Sequence, residues 1–495
     1  MKNHSLLFTA LLLTCTKSIF TQNYNNPNNI NFTHFNASQG FKMIGVADER
    51  TGFSVSTAGD INGDGISDII VGAPTANPKG RKEAGTCYVV YGKKGGYSEP
   101  LELSNLEPHE GFVIQGAKAG DWLGNSVNSA GDFNGDGIND IILGAYSANR
   151  NNMLSPGVSY IIYGQHYYPT SIDLAILQSS QGFAIQGAQG YEIAGNSVDT
   201  AGDFNGDGID DVIIGAPGAT PQGRASAGVS YVIYGKKGGY PETINLSNLS
   251  PSVGIPIQGA SAYQTCGQSV SSADVNGDGI SDVIVGCPAD RNMPGSSYVI
   301  YGKKGGYTGT IDLKYLSKDD GFLIEGAEQN DQCGTSVSGT KDVNGDKIDD
   351  MIIGAPNANL NTPGIAYVIY GKAGGYTNPI YLASLNATLG FTIQGNVGGA
   401  VSTAGDINND GFNDIIASGS DNDYLVYGKK GGYSNPIKVA HLNDTLGFTI
   451  FNGSASNSAG DVNGDQINDI IVGENTGGSG AAYVIYGSKK FSPIN

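Results

Sequence analysis

Short β-branched runs recur along the chain, each bounded by glycine or proline. Ser54–Ala58, Asp68–Gly72, Cys87–Tyr91 and Gly111–Gln115 read as strands, because five-residue runs of this composition suit a pleated, buried surface. No stretch of about 12 residues keeps the 3.6-residue period of a helix. The same order of runs then returns. One unit reads approximately G-x-S-V-x-x-A-G-D-x-N-G-D-G-x-x-D-x-I-x-G-A-P, a variable loop, G-x-x-Y-V-I-Y-G-K-K-G-G-Y, a Leu-rich segment and G-F-x-I-x-G. Its acidic core begins at Asp60, Asp132, Asp203, Asp274, Asp342, Asp406 and Asp461, with separations that shorten from 72 to 55 residues.

Seven units of four antiparallel strands predict an all-β fold, a seven-bladed β-propeller. A solenoid is the alternative, and it would need distinct caps at both ends. The ends favour the ring. The last unit stops after Tyr483–Gly487, without its Leu-rich and G-F-x-I-x-G parts, and the N-terminus supplies those parts at Ile30–Phe35 and Gly40–Gly45. An N-terminal strand completing the last blade closes the ring and removes open sheet edges. The expected organisation is a signal peptide at 1–20, an Asn-rich segment at 21–29 and one propeller domain at 30–490.

The acidic loops are the first candidate site. Each places Asp at position 1, Asn at 3, Asp at 5 and Asp at 9, and position 7 offers a carbonyl while its side chain enters the core. The seven sets are Asp60, Asn62, Asp64, Ile66 and Asp68; Asp132, Asn134, Asp136, Ile138 and Asp140; Asp203, Asn205, Asp207, Ile209 and Asp211; Asp274, Asn276, Asp278, Ile280 and Asp282; Asp342, Asn344, Asp346, Ile348 and Asp350; Asp406, Asn408, Asp410, Phe412 and Asp414; and Asp461, Asn463, Asp465, Ile467 and Asp469. Three carboxylates, an amide and a carbonyl on a tight glycine turn form a hard oxygen cage, which favours Ca²⁺ over Zn²⁺ or copper. An EF-hand is excluded, because position 12 of the first loop is Val71 and a strand follows. The competing reading is a metal-free Asx/Gly hairpin turn, which seven loops in register disfavour. Up to seven Ca²⁺ ions are expected in a structural role, with weaker binding at the fifth to seventh loops, where Lys347, Asn409 and Gln466 replace glycines.

Composition then narrows the function. The chain has 27 basic and 46 acidic residues among 495, a net charge of −19, which argues against nucleic-acid or anionic-membrane binding. The loops account for 21 of those acids, and seven bound Ca²⁺ would bring the charge to −5. Lys2 followed by the apolar run Leu6–Leu13 has the layout of a secretory signal, and the absence of any longer apolar stretch predicts a secreted protein with neither a membrane span nor a GPI signal. The sequons at Asn36, Asn245 and Asn386 suit that route. Besides Cys15 there are only Cys87, Cys266, Cys287 and Cys333, too few for a disulfide framework. Cys266 and Cys333 read as small buried hydrophobes, and a Cys266–Cys287 bridge stays open.

The phrase G-x-S-V…D-x-N-G-D-G…D…I-x-G-A-P resembles the FG-GAP repeat of integrin alpha-subunit propellers, most closely at Gly52–Pro74, Gly195–Pro217, Gly267–Pro288 and Gly334–Pro356. The resemblance spans roughly 30–490 and implies a seven-bladed propeller with Ca²⁺ hairpins and a role in extracellular adhesion or recognition. Similar repeats sit beside the catalytic domain of a GPI-cleaving phospholipase. With no leg domains, membrane span or inserted domain in its sequence, the chain is expected to correspond at most to the head portion of such a subunit, and pairing with an integrin-beta-like partner does not carry over. The G-A-P element decays to Ala417-Ser418-Gly419 and Gly473-Glu474-Asn475, yet every unit keeps its acidic loop.

Strand parity sorts the loops. The acidic loops and the K-K-G-G-Y turns share one face, where the lysines would offset neighbouring aspartates. The five arginines, Arg50, Arg81, Arg150, Arg224 and Arg291, fall on the other face with Trp122, Tyr191 and Tyr263. Arginine with aromatics is the composition of recognition hot spots, and the integrin resemblance points to the same face for ligand contacts. The expectation is that charge reversal at Arg150 and Arg224 weakens partner binding and leaves thermal stability intact. The competing account is that these arginines tie down loop carbonyls. No nucleophile constellation, G-x-S-x-G elbow or H-E-x-x-H motif appears, so the chain reads as a non-enzyme. A cell-surface or matrix protein is the expected partner. A glycan is the alternative, and a Ca²⁺-dependent polysaccharide-active enzyme using Glu83 or Asp290 is a weaker one.

Overall fold

A computed structural model describes residues 26–491 except 151, 289–292, 359–363, 378, 435 and 475–479, so the signal peptide, Arg291 and Asp290 lie outside the described residues. The chain forms seven small sheets arranged as a seven-bladed propeller, and its helical turns among the described residues are three-residue 3-10 segments. The first blade runs Ser54–Gly59, Asp68–Ala73, Thr86–Val90 and Gly111–Gln115, all antiparallel, within one residue of the expected boundaries. The second strand is buried along its whole length because both its faces meet neighbouring blades.

Each blade also has a fifth strand, absent from the four-stranded expectation. Ser171–Asp173, in the connection between the third and fourth strands of the second blade, pairs in parallel with Gly111–Gln115 of the first. These strands are two or three residues long and read in sequence only as the start of the Leu-rich segment. Each blade thus covers its predecessor's outer edge, which removes an unpaired strand edge.

The ring closes at the N-terminus in two places. Gly40–Ile44 pairs antiparallel with Ala481–Ile485 and supplies the fourth strand of blade seven. Ile30–Asn31 pairs in parallel with Ile450 and Phe451 of blade six. Phe32 stacks on Tyr483 at 3.8 Å. Asn26 Nδ2 donates to the Gly447 carbonyl at 2.8 Å, and Asn29 Oδ1 accepts from Thr449 N at 2.9 Å, so the end of the Asn-rich segment is part of the propeller.

The motif letters now acquire causes. A Cβ at Gly72 of the G-A-P element would lie 2.1 Å from the carbonyl oxygen of Gly124, the first glycine of the next unit. These paired glycines let consecutive blades touch through backbone. The motif serine staples the inner strands: Val127 N donates to Ser54 Oγ at 3.1 Å, and Val198 N to Ser126 Oγ at 3.0 Å. Between blades, Ile70, Val89 and Phe112 pack against Ile141, Leu143 and Tyr160. The junction of blades six and seven departs from this scheme. Ser418 stands where Gly72 does, and buried Asp423 accepts from the Ser456 hydroxyl. Cys266 and Cys287 are disulfide-bonded, so Cys266 is not the free hydrophobe expected, whereas Cys87 and Cys333 are free and buried.

A buried or part-buried acid or amide organises the loop from the fourth strand to the next first strand at the first three junctions. Asp121 accepts from Lys118 N at 3.0 Å, Gln264 from Ser261 N at 3.0 Å, and Glu192 from Ala188 N. Asp121 is neutralised by Arg150 at 2.8 Å. Beside its backbone donors Glu192 is reached by the Tyr231 hydroxyl at 3.4 Å and by the Gln189 side chain, and burial pushes its carboxyl up to about 7.

Two outcomes follow. Met43, fully buried on the closing strand, should cost about 2–5 kcal/mol when truncated to alanine, read as a lower midpoint in denaturant. Glu192 carries a raised pKa in the fold, so the folded chain holds a proton that the unfolded chain releases from about pH 4 upward. Its ionised form therefore lowers stability as pH rises toward 7. Glu192→Gln, which installs the amide that Gln264 already uses to reach the Tyr298 hydroxyl at 3.3 Å, should add about 1–3 kcal/mol at pH 8 and nothing below pH 4. A variant equally stable at both pH values would refute the assignment.

Candidate functional site

The acidic loops fold alike. In the first, Asp60 Oδ1 accepts from Asp64 N at 2.9 Å and Oδ2 from Gly65 N at 2.8 Å, and Asn62 Oδ1 accepts from Asp64 N at 2.8 Å. Asp64 Oδ1 accepts from Ile66 N at 2.9 Å. These bonds gather the side chains of positions 1, 3 and 5 around a single turn. Asp68 lies beneath them, fully buried, accepting from Ile61 N at 3.0 Å and Gly92 N at 2.7 Å. Burial, reinforced by the charges of Asp64 and Asp60, pushes the Asp68 carboxyl up to about 8, and the same holds for Asp140, Asp211, Asp282, Asp350 and Asp469. Asp414 is raised well above the ordinary range for the same reason.

No described ion pair reaches these carboxylates. Among the described residues, no group of three or more His, Cys, Asp or Glu side chains is arranged to hold a metal ion; the loop carboxylates accept from backbone N–H groups. The donor set nevertheless suits a hard cation, with three carboxylates, an amide oxygen and a carbonyl per loop. In the fourth loop, the buried Asn276 Oδ1 has no hydrogen-bond partner, leaving an oxygen free to ligate.

Position 7 differs from expectation. Ile66 is only half-buried, and its Cδ1 would lie 3.7 Å from a Cβ placed on Gly464 of the neighbouring loop. The residue that enters the core is position 2: Ile61, Phe133, Phe204, Val275, Val343, Ile407 and Val462 are all fully buried. The signal was present in the invariably apolar residue between Asp and Asn. The substituted loops keep the turn. Lys347 and Gln466 adopt φ of 71° and 70°, and their N–H groups reach Asp342 at 2.7 Å and Asp461 at 2.8 Å. Asn409 takes φ 56° at position 4.

The K-K-G-G-Y turns lock these loops together through backbone. Lys93 N donates to Val462 O at 2.9 Å, and Gly95 N to Asn463 O at 2.7 Å. The first lysine of each turn does not meet an aspartate of the loops. Its ammonium lies over the tyrosine that ends the turn, at 5.2 Å for Lys93 on Tyr97 and 3.6 Å for Lys303 on Tyr307. The expected neutralisation of loop aspartates is thus replaced by a cation–π lid.

On the opposite face, three arginines are held within the fold. Arg81 pairs with Asp173 at 2.8 Å, and Arg224 with Asp312 at 3.0 Å, each reaching into the next blade. Arg150 forks onto Asp121 at 3.1 and 2.8 Å and donates to the Tyr160 hydroxyl at 3.1 Å. Arg50 lies over Phe53 at 4.4 Å. Charge reversal at Arg150 or Arg224 would set like charges against Asp121 or Asp312, so the expectation of intact stability is corrected. This face also exposes large apolar side chains. Tyr191 is 65% and Tyr263 56% exposed, both with φ 62°, where bulky side chains rarely sit. Trp122 is half-buried edge-on to Tyr146. Leu154, whose carbonyl accepts from Tyr191 N at 2.7 Å, and Met293 are also exposed. Sequence reasoning missed both, although an aliphatic residue in an otherwise polar loop is a readable sign.

A profile of the FG-GAP repeat matches residues 51–90, 124–161, 194–233, 267–300 and 334–370. The chain is 25% identical over 400 residues to phosphatidylinositol-glycan-specific phospholipase D of Bos taurus, covering 78% of this chain and 45% of the relative. It is 31% identical over 229 residues to integrin alpha pat-2 of Caenorhabditis elegans, covering 42% of this chain and 17% of the relative, and 24% identical over 353 residues to integrin alpha-V of Gallus gallus, covering 69% and 30%. The chain thus spans less than half the length of these relatives. No helix among the described residues is long and apolar enough to cross a membrane. The repeats, the closed ring and these relatives agree: the chain is an FG-GAP repeat protein whose propeller resembles the head of integrin alpha subunits.

Proposed function

We propose that this propeller is a secreted, calcium-stabilised recognition module that binds a cell-surface or matrix protein through the face opposite the acidic loops. The observation that carries the reading is the series of exposed apolar side chains, Leu154, Tyr191, Tyr263 and Met293, on loops of consecutive blades. Aromatic anchors on a rigid frame contribute most to protein interfaces. The part-buried ion pairs of Arg81, Arg150 and Arg224 support this reading as braces that hold the loops in place. The similarity to integrin alpha subunits favours adhesion. The similarity to a phospholipase supplies the competing enzyme reading, which release of a phosphatidylinositol-glycan anchor by the purified chain would establish.

The loops supply the calcium part. Each would hold Ca²⁺ through positions 1, 3, 5 and 9 and the carbonyl of position 7, and the ion's role is to offset three carboxylates crowded into one turn. The K-K-G-G-Y turn of the next blade is bonded to the same loop, so ion binding is coupled to ring rigidity.

Three outcomes follow. Tyr191→Ala with Tyr263→Ala should weaken capture of biotinylated cell-surface proteins at least tenfold without moving the unfolding midpoint, and undiminished capture would sink the assignment of this face. Chelation should lower the midpoint, since an ion at 100 times its Kd contributes about 2.7 kcal/mol per site. An unchanged midpoint, with no heat on calcium titration, would remove calcium from the account. Lys347→Gly should relieve about 1 kcal/mol of left-handed backbone strain.

A further inference from the structure

The connection between the third and fourth strands encloses an open groove on the rim of three consecutive blades. It measures about 580 Å³ in blade four, within Lys303–Asp320, about 330 Å³ in blade five and about 460 Å³ in blade six. The three are built alike. Each has a lysine ammonium over a tyrosine ring, at 3.6 Å for Lys303 on Tyr307, 5.3 Å for Lys372 on Tyr376 and 4.8 Å for Lys429 on Tyr433. Each also has an isoleucine of the short edge strand on its wall: Ile311, Ile380 and Ile437.

The charged groups at the lip differ from groove to groove, and in blade four each acid is paired with a cation, Asp320 with Lys303 and Asp312 with Arg224. Blade four presents Asp312 and Asp320, and blade six presents Lys438 and His441 with no acid among its lining residues. A charged ligand would therefore favour one groove over another, an anion preferring the lysines of blade six to the paired acids of blade four. A neutral ligand rich in hydroxyl groups suits all three, because hydroxyls donate to carboxylates and accept from ammonium groups equally well. In blade four the hydrogen-bonding groups are held in place: Lys303 Nζ reaches Asp320 at 3.0 Å, the Ser317 hydroxyl donates to Asp320 at 2.7 Å, and Arg224 grips Asp312 at 3.0 Å. Beside them Tyr315 is 73% exposed, with the Lys314 ammonium 5.5 Å over one side of its ring and the rest of the ring open to solvent.

We propose that these rim grooves are saccharide subsites for a neutral glycan, and that the blade-four groove is the principal one. Tyr315 meets the C–H face of a pyranose, and Asp312 and Asp320 accept its vicinal hydroxyls. Equivalent grooves one blade apart engage successive or branching units of one polymer, so avidity exceeds the affinity of a single groove. These sites lie on the rim and are independent of the exposed tyrosines of the loop face.

The test uses the full chain with immobilised chitohexaose, cellohexaose and mannohexaose, and with heparin and polygalacturonate as anionic controls. Retention of at least one neutral hexasaccharide, unaffected by high salt, is expected. Tyr315→Ala should weaken it about threefold to tenfold, and Asp320→Asn should weaken it too. Tyr315 is exposed, so Tyr315→Ala should unfold at the wild-type temperature, whereas Asp320→Asn loses the ion pair with Lys303 and its retention is read beside its own unfolding temperature. Tyr191→Ala with Tyr263→Ala should leave glycan retention unchanged. The proposal is overturned if no neutral glycan is retained, if retention is confined to the anionic polymers and lost at high salt, or if Tyr315→Ala binds as wild type does.

Discussion

Everything in this molecule depends on the pairing of Gly40–Ile44 with Ala481–Ile485. A propeller blade contacts only its neighbours, so the fold gains its cooperativity from having no first and last blade. The N-terminal segment secures closure twice, once in each of the last two blades, with Phe32 on Tyr483 between the two strands. The same logic operates locally at every junction, where the short parallel strand of one blade covers the edge of the one before it. Removing edges is a constraint on the whole ring, and the repeat is its local solution.

The repeat motif is a description of junctions more than of blades. Its two glycines face each other across successive units, its serine bonds the next inner strand, and the apolar residue between Asp and Asn fills the core beneath the loop. This explains why the sixth blade can lose its G-A-P element without losing its place. Ser418, Asp423 and Ser456 fill that junction with hydrogen-bonded groups where the others use close backbone contact. It also explains how Lys347 and Gln466 persist: the backbone path is set by the bonds to Asp342 and Asp461, and the side chain tolerates it.

Strand order, blade number and closure were legible in the sequence because each rests on a repeated local signal. The fifth strands were not, since two residues pairing with a neighbouring blade leave no period to detect. The lysines of the turns were misassigned for a related reason: their partner is the tyrosine four residues on, and sequence charge balance pointed to the aspartates instead. The arginines show the sharper limit. Parity placed Arg81, Arg150 and Arg224 on the expected face, yet composition does not distinguish a guanidinium that greets a ligand from one that grips Asp173, Asp121 or Asp312. That distinction needs the partner's position, which here lies 29 to 92 residues away.

The two faces and the rim divide the work by how strongly the repeat constrains them. The acidic loops and their locking turns are built from the motif itself, so they vary little and suit a shared structural task. The opposite loops lie between motif elements, and only their roots are pinned, by Asp121, Glu192, Gln264 and the arginine pairs. Their tips are therefore free to carry Leu154, Tyr191 or Tyr263 at no cost to the ring. The rim grooves are intermediate, with a constant tyrosine–isoleucine wall and a lip whose charged groups differ from blade to blade. A scaffold of this kind concentrates specificity where the repeat is silent, which is why the ring is read from the motif and the ligand is sought among the residues that depart from it.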